Sequence, residues 1–333
     1  MMKTAITIIS ILLVISSTTA GQILTEKQRF DLAAAYSNTH NGVGVLILKG
    51  DEVVFEDGRI NLGKDLPWIL ASGTKSFSGV MCAAAIEDKI FTGFDEKVAD
   101  TLTEWKNDPL KSKITIRQLL SLTSGIDAGE ALSVPTYADA IKRVAKYEPG
   151  THFEYGPVPF QIFGEVMTRK LKPRKESVAT YLKRRILDPI GMNIAVWRKY
   201  EGQPLLPQGA AVTAREWAKF GLLLKDRGKW KGKQIMSAKL LDELTVGSKA
   251  NPAYGLTFWL NADGIGPSGT SRANISGDIG TKRIADKLDI FMAAGAGNQR
   301  LYVIRSEDLV VVRFGAFGDF DDRAFISRLL TGR

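Results

Sequence analysis

Apolar, β-rich runs lie near both ends of the chain, and apolar residues recur at helical spacing between them. Near the start, Gly42-Val-Gly-Val-Leu-Ile-Leu48 and Glu52-Val-Val-Phe-Glu56 flank Lys49-Gly-Asp51, which predicts a hairpin about a glycine-containing turn. Near the end, Arg300-Leu-Tyr-Val-Ile-Arg305 and Leu309-Val-Val-Val-Arg-Phe314 flank Ser306-Glu-Asp308 and predict a second. Helical periodicity marks residues 116–122, 160–171, 178–186 and 214–225, and a last helix over 321–330 opens in an Asp-rich turn suited to capping its first amides. No internal repeat, low-complexity tract or long linker interrupts the pattern. The expected fold class is α/β, of the α+β kind: an antiparallel sheet built from both chain ends and flanked by helices, with a helical subdomain inserted. In residue terms, 21–90 and 210–333 would form the sheet domain and 91–209 the insertion.

The first twenty residues stand apart. Lys3, the apolar run 5–15 and the small residues ending at Ala20 have the form of a signal peptide cleaved after Ala20. The apolar run is shorter than the roughly 20 residues a bilayer span needs. Export to a secreted or periplasmic location, with no stable membrane anchor afterwards, is the expectation. Cys82 is the only cysteine, so no internal disulfide can form, and its apolar neighbours mark it as a core residue.

Composition is that of a globular chain: 333 residues, 44% hydrophobic, with a formal charge of +9. The basic residues fall into short clusters at 170–175, 183–185 and 225–233, without the interleaved aromatics of a nucleic-acid module, so a solvated basic surface is expected and no nucleic-acid partner.

Two histidines, His40 and His152, exclude a three-histidine metal centre and would have to supply the base of any Ser-His-Asp triad. No Gly-x-Ser-x-Gly elbow is present. A different base is offered by Ala71-Ser72-Gly-Thr-Lys75-Ser76, which opens the apolar stretch running to Ile86. If that stretch is helical from Ser72, positions three apart share a face, Lys75 can reach the Ser72 hydroxyl, and the free amides of the first turn favour negative charge beside it. The lysine would act neutral, which requires burial. Taken alone, Ser-x-x-Lys is a common match and reads equally well as a helix cap. Two further segments could join it. Glu148-Pro-Gly150-Thr-His-Phe-Glu-Tyr155-Gly-Pro157 carries a tyrosine on a Pro/Gly-shaped loop, where a core tyrosine is the plainer reading. Phe291-Met-Ala-Ala-Gly295-Ala-Gly297-Asn-Gln299 reads as a strand ending in small residues, fit for close backbone approach to a ligand or for a tight turn.

In this order, the segments resemble the serine β-lactamase and penicillin-binding protein superfamily, and within it the class-C-like esterases and 6-aminohexanoate-dimer hydrolases. Ser72-Gly-Thr-Lys75 matches that group's Ser-x-x-Lys, Leu119-Leu-Ser-Leu-Thr-Ser-Gly125 matches a run typical of it, and Tyr155 falls on its tyrosine. The stretches 211–221, 226–230 and Gln299-Arg-Leu-Tyr-Val303 are also similar. The likeness implies that Ser72 attacks a carbonyl, that Lys75 and Tyr155 share proton transfer, and that the amides of Ser72 and Ala296, beside Gly295, bind the oxyanion. It implies no metal and no cofactor. The expected substrate is a small ester or amide. A β-lactamase or D-amino peptidase of the cell wall, and a non-catalytic binding protein of the same fold, are the alternatives. Two departures separate these. Tyr155 is followed by Gly156 and Pro157 where the group often has an asparagine, and Ala293-Ala294-Gly295 lacks the usual Lys or His with a hydroxyl residue. Both count against an efficient β-lactamase.

Overall fold

The computed structural model describes residues 24–58, 66–130, 133–269, 271–272 and 288–333. The expected leader, residues 1–20, lies outside them. Among the described residues, no helix is long and apolar enough to cross a membrane.

Six strands form the main sheet: β1 (Gly42–Lys49), β2 (Glu52–Gly58), β3 (Trp259–Leu260), β4 (Ile290–Gly295), β5 (Gln299–Ile304) and β6 (Leu309–Gly315). Their order is β3-β4-β5-β6-β1-β2, each neighbouring pair antiparallel. The last strand therefore pairs with the first, with Leu46 opposite Val312 and Leu48 opposite Val310. Both hairpins expected from the apolar runs are present. Their turns carry the left-handed residues such reversals demand, Gly50 at φ 65° and Asp308 at φ 55°.

All seven residues of β6 are buried, because helices cover both faces of the sheet. Alternation assigns the faces. Val310, Val312 and Phe314 point to the helix α4 (Ala214–Lys225), whose Gly221 lies so close that a Cβ there would sit 2.5 Å from Val310 Cγ1. The other face meets α1 (Glu26–Thr39) and α5 (Asp322–Thr331), where Tyr302 stacks on Phe325 and Arg313 bonds Ser37. Asp321 caps α5 by accepting from the amides of Arg323 and Ala324, as its Asp-rich start suggested.

The helix expected to open at Ser72 differs in its first turn. Residues Ala71–Lys75 form a 3-10 turn, and the α-helix α2 (Ser76–Glu87) begins only after it. Ala71, held at φ 46°, bends the chain out of the preceding strand, and contacts with Ala210 and Trp217 hold the tighter turn. The turn has no side-chain cap, so the capping reading of Ser72 does not hold. Residues 76–85 of α2 are buried all round, which marks a core helix. α3 (Val158–Leu171) covers the expected helix 160–171. The expected helix 178–186 is α-helical over Val178–Leu182 and then widens to a π-turn over Lys183–Leu187.

Residues 91–209 supply no strand to the six-stranded sheet. They are not purely helical, however: Val196–Trp197 pairs with Ala210–Val212, which pairs in turn with Trp68–Ile69 beside the Ser72 turn. Replacing Leu301, fully buried under α4, with alanine is expected to cost about 3 kcal/mol. Urea unfolding would show a lower midpoint at unchanged slope.

Candidate active site

The Ser72 turn is fixed from several sides. Leu70 donates to the Ala210 carbonyl at 2.9 Å, and the Ala210 amide donates back to Thr74 Oγ1 at 3.1 Å. Ser76 Oγ closes the turn on the Gly73 carbonyl at 2.7 Å. Beneath it lies Trp217, close enough that a Cβ on Gly73 would stand 2.9 Å from its ring. Ser72 is left half-buried, and its amide belongs to the first turn, where a helix offers no internal acceptor.

Lys75 is buried, with 3% of its surface exposed. Its Nζ lies 3.0 Å from Ser72 Oγ and donates to the Pro207 carbonyl at 3.0 Å. The ring centroids of Tyr155 and Phe160 lie 4.9 Å and 5.4 Å away. Among the described residues it forms no ion pair. Ring faces favour an ammonium by about 1 kcal/mol each, whereas complete burial without a counter-charge costs more. Burial wins, and lowers the lysine from its ordinary 10.5 to about 7.

Tyr155 is brought against this lysine by a folded-back loop. The run Leu119 to Gly125 makes a sharp reversal with Leu122 at φ 60°, and its carbonyls hold the loop. Leu122 accepts from the Glu154 amide at 3.0 Å and Thr123 from that of Gly150 at 2.7 Å. Gly156 passes so near Ala128 that a Cβ would fall 2.2 Å from its carbonyl oxygen, which excludes a side chain there. Behind the phenol stands an aromatic group: Trp259 stacks on Tyr155 with centroids 5.6 Å apart, and Tyr254 meets it edge-on at 6.2 Å. Tyr155 is thus half-buried at the edge of an aromatic cluster and not a core tyrosine.

Gly295 ends β4 directly against the Ser72 turn. A Cβ on it would lie 1.9 Å from the Leu70 carbonyl oxygen, so only glycine permits the approach. Ala296 follows, exposed, in a turn completed by Gly297 and Asn298 at φ 76° and 59°. Four of the five residues singled out from sequence are brought together: Ser72, Lys75 and Tyr155 about one buried amine, and Gly295 against the Ser72 turn, with Ala296 next to Gly295 in the chain. Pro207, Phe160, Trp217, Trp259 and Tyr254 also shape the site. Four are apolar or aromatic residues with no local signal, and Pro207 acts through its backbone. Chemically, the arrangement offers a hydroxyl beside an amine lowered to titrate near 7, with first-turn amides close by.

No curated protein matches the chain by sequence. Among solved structures, a family VIII carboxylesterase aligns with TM-score 0.66 and 18% identity over 94% of this chain and 98% of its own. A class C β-lactamase from Rhodobacter sphaeroides aligns with TM-score 0.66 and 16% identity over 90% and 99%. A penicillin-binding protein homologue from Caulobacter crescentus aligns with TM-score 0.68 and 16% identity over 91% and 96%. At these identities the likeness is one of fold. The family profile named Beta-lactamase matches residues 27–315, most of the chain, and with the antiparallel sheet and its helices in place the chain belongs to the β-lactamase family and is a serine hydrolase.

Proposed function

We propose that this chain cleaves a small ester or amide through an acyl-enzyme on Ser72, with Lys75 and Tyr155 moving the proton. The observation that carries the reading is the buried Lys75 amine, without an ion-pair partner among the described residues, 3.0 Å from the Ser72 hydroxyl. In acylation, Ser72 Oγ bonds the substrate carbonyl carbon and its proton passes to Lys75 Nζ. The carbonyl oxygen becomes an oxyanion facing the Ser72 and Ala296 amides. Collapse expels the alcohol or amine, which takes the proton through Lys75 and Tyr155. Water then attacks the acyl carbon, releases the acid and returns a proton to Ser72.

The residues around the amine favour a simple acyl substrate over a β-lactam. Gly156 and Pro157 carry no side-chain amide for a substrate, and Ala293 and Ala294 place no cation where a β-lactam carboxylate would need one. The Gly156 contact with Ala128 fixes a glycine directly after Tyr155, since that position tolerates no Cβ. Export remains part of the proposal, on the strength of residues 1–20.

A p-nitrophenyl ester of a short acid should be turned over, and the acyl group should be found on Ser72 by mass. Ser72→Ala should lose activity by a factor of at least about 10³. Wild type as inert as Ser72→Ala on esters, amides and a fluorophosphonate would sink the reading. Rapid opening of a chromogenic cephalosporin, at rates matching the esters, would instead favour the β-lactamase alternative.

A pH profile tests the base. With the amine lowered to about 7, about half of Lys75 is unprotonated at pH 7, against roughly 1 in 3,000 for an ordinary lysine. Because the active form is the neutral one, kcat/KM should rise with pH through an acid limb near 7 and level off above it. A limb lying near 10 would show an exposed, ordinary lysine.

A further inference from the structure

The turn that carries the Ala296 amide is held by two side chains assigned no role so far. Gln299, 3% exposed, turns its amide back beneath it and shares its two hydrogens among the carbonyls of Gly315 at 2.7 Å, Gly297 at 3.0 Å and Ala296 at 3.3 Å. Its Oε1 accepts from the Gly315 amide at 3.0 Å. Arg313 reaches the same turn from the opposite face of the sheet, donating from Nη1 to the Asn298 carbonyl at 2.8 Å. Its other donors go to the His40 carbonyl at 2.7 Å and Ser37 Oγ at 2.9 Å, and its guanidinium lies 3.8 Å from the Phe320 ring centroid.

Arg313 is completely buried, with no direct carboxylate partner among the described residues, and burial lowers it to about 10. It stays charged at neutral pH, and its donors tie the end of α1, through Ser37 and His40, to the Asn298 carbonyl of the turn. The glycines around it are cut to fit. A Cβ on Gly315 would lie 2.2 Å from Arg313 Nη1, and one on Gly42 would lie 2.1 Å from Ser37 Oγ.

The residue between Arg313 and Gly315 points the other way. Phe314 stacks on Trp217 at 5.9 Å and 13°, and Trp217 is the floor under Gly73 of the Ser72 turn. The end of β6 therefore reaches both halves of the proposed oxyanion site: Arg313 and Gly315 bear on the Ala296 turn, and Phe314 bears on the Ser72 turn through Trp217.

We propose that the end of β6, Arg313-Phe314-Gly315, together with Gln299, is the frame that sets the spacing between the Ser72 and Ala296 amides, which makes Gln299 and Arg313 positioning residues for the oxyanion. This rests on the acyl-enzyme reading above. Hydrogen-bond donors aimed at developing charge act by being held in place beforehand, so loosening the Ala296 turn weakens binding of the tetrahedral state and leaves ground-state binding nearly intact.

The test compares Gln299→Met, which keeps the length and removes the amide, and Gly315→Ala, which drives a methyl into Arg313, with Val310→Ala, a core truncation on the same strand that faces α4. Each is measured for thermal midpoint, ester kcat and KM, and affinity for an alkylboronic acid, whose boron accepts Ser72 Oγ to give a tetrahedral adduct. Loss of an oxyanion donor costs about 10² to 10³ in kcat, and a misplaced one should cost on the order of tenfold to hundredfold. Gln299→Met and Gly315→Ala are expected to lose kcat/KM and boronic acid affinity by the same factor, with KM nearly unchanged, while Val310→Ala lowers the midpoint and keeps both. If the two variants lose no more than Val310→Ala, the frame is overturned and the acyl-enzyme reading stands. If wild type neither turns over the ester nor takes the boronic acid on Ser72, the acyl-enzyme reading fails and carries the frame with it.

Discussion

Everything at the proposed site depends on keeping one lysine ammonium out of water without giving it a counter-ion. A carboxylate beside Lys75 would raise its pKa and remove it as a base at neutral pH, whereas exposure would return it to the range of an ordinary lysine. The structure meets both conditions by surrounding Nζ with a carbonyl, a hydroxyl and two ring faces. The Pro207 carbonyl gives the amine one acceptor and leaves its lone pair the task of meeting the Ser72 proton.

That requirement explains much of the surrounding packing. The helix that follows the lysine is buried on all sides over residues 76–85, so Lys75 stands where the chain enters the core. The 3-10 turn and the left-handed Ala71 place Ser72 at the surface of the same element that buries Lys75 three residues later. The two residues thus share a helix face yet differ in exposure, as the proposed roles of nucleophile and base require. Strain at Ala71 is held by the bonds to Ala210 and by Trp217 beneath Gly73.

Close backbone approach is the second recurring device. Gly295 against Leu70, Gly156 against Ala128 and Gly125 against Tyr147 each occupy a place where a Cβ would fall within about 2 Å of a carbonyl oxygen. Each brings one site segment against its neighbour.

Much of the fold could be read from the chain itself, because hairpins and amphipathic helices are set by local periodicity. The two terminal hairpins, α4 and the capped α5 fall where the pattern placed them. The nature of the Ser72 turn could not be read, since a strained 3-10 turn and an α-helical start have the same local sequence, and contacts with Ala210 and Trp217 select between them. The scarcity of histidine and the Ser72-Gly-Thr-Lys75 spacing determined which groups were available for chemistry. Their protonation did not follow, because a lysine pKa depends on burial contributed by residues 80 and 130 positions away, such as Tyr155 and Pro207. The same holds for Arg313 and Gln299. In the chain they read as a charged interruption in a valine run and a polar strand residue. Gln299 lies two residues from the turn it bonds, whereas Arg313 comes onto that turn only through the antiparallel pairing of β5 with β6, because register is fixed by the whole sheet and not by any one strand.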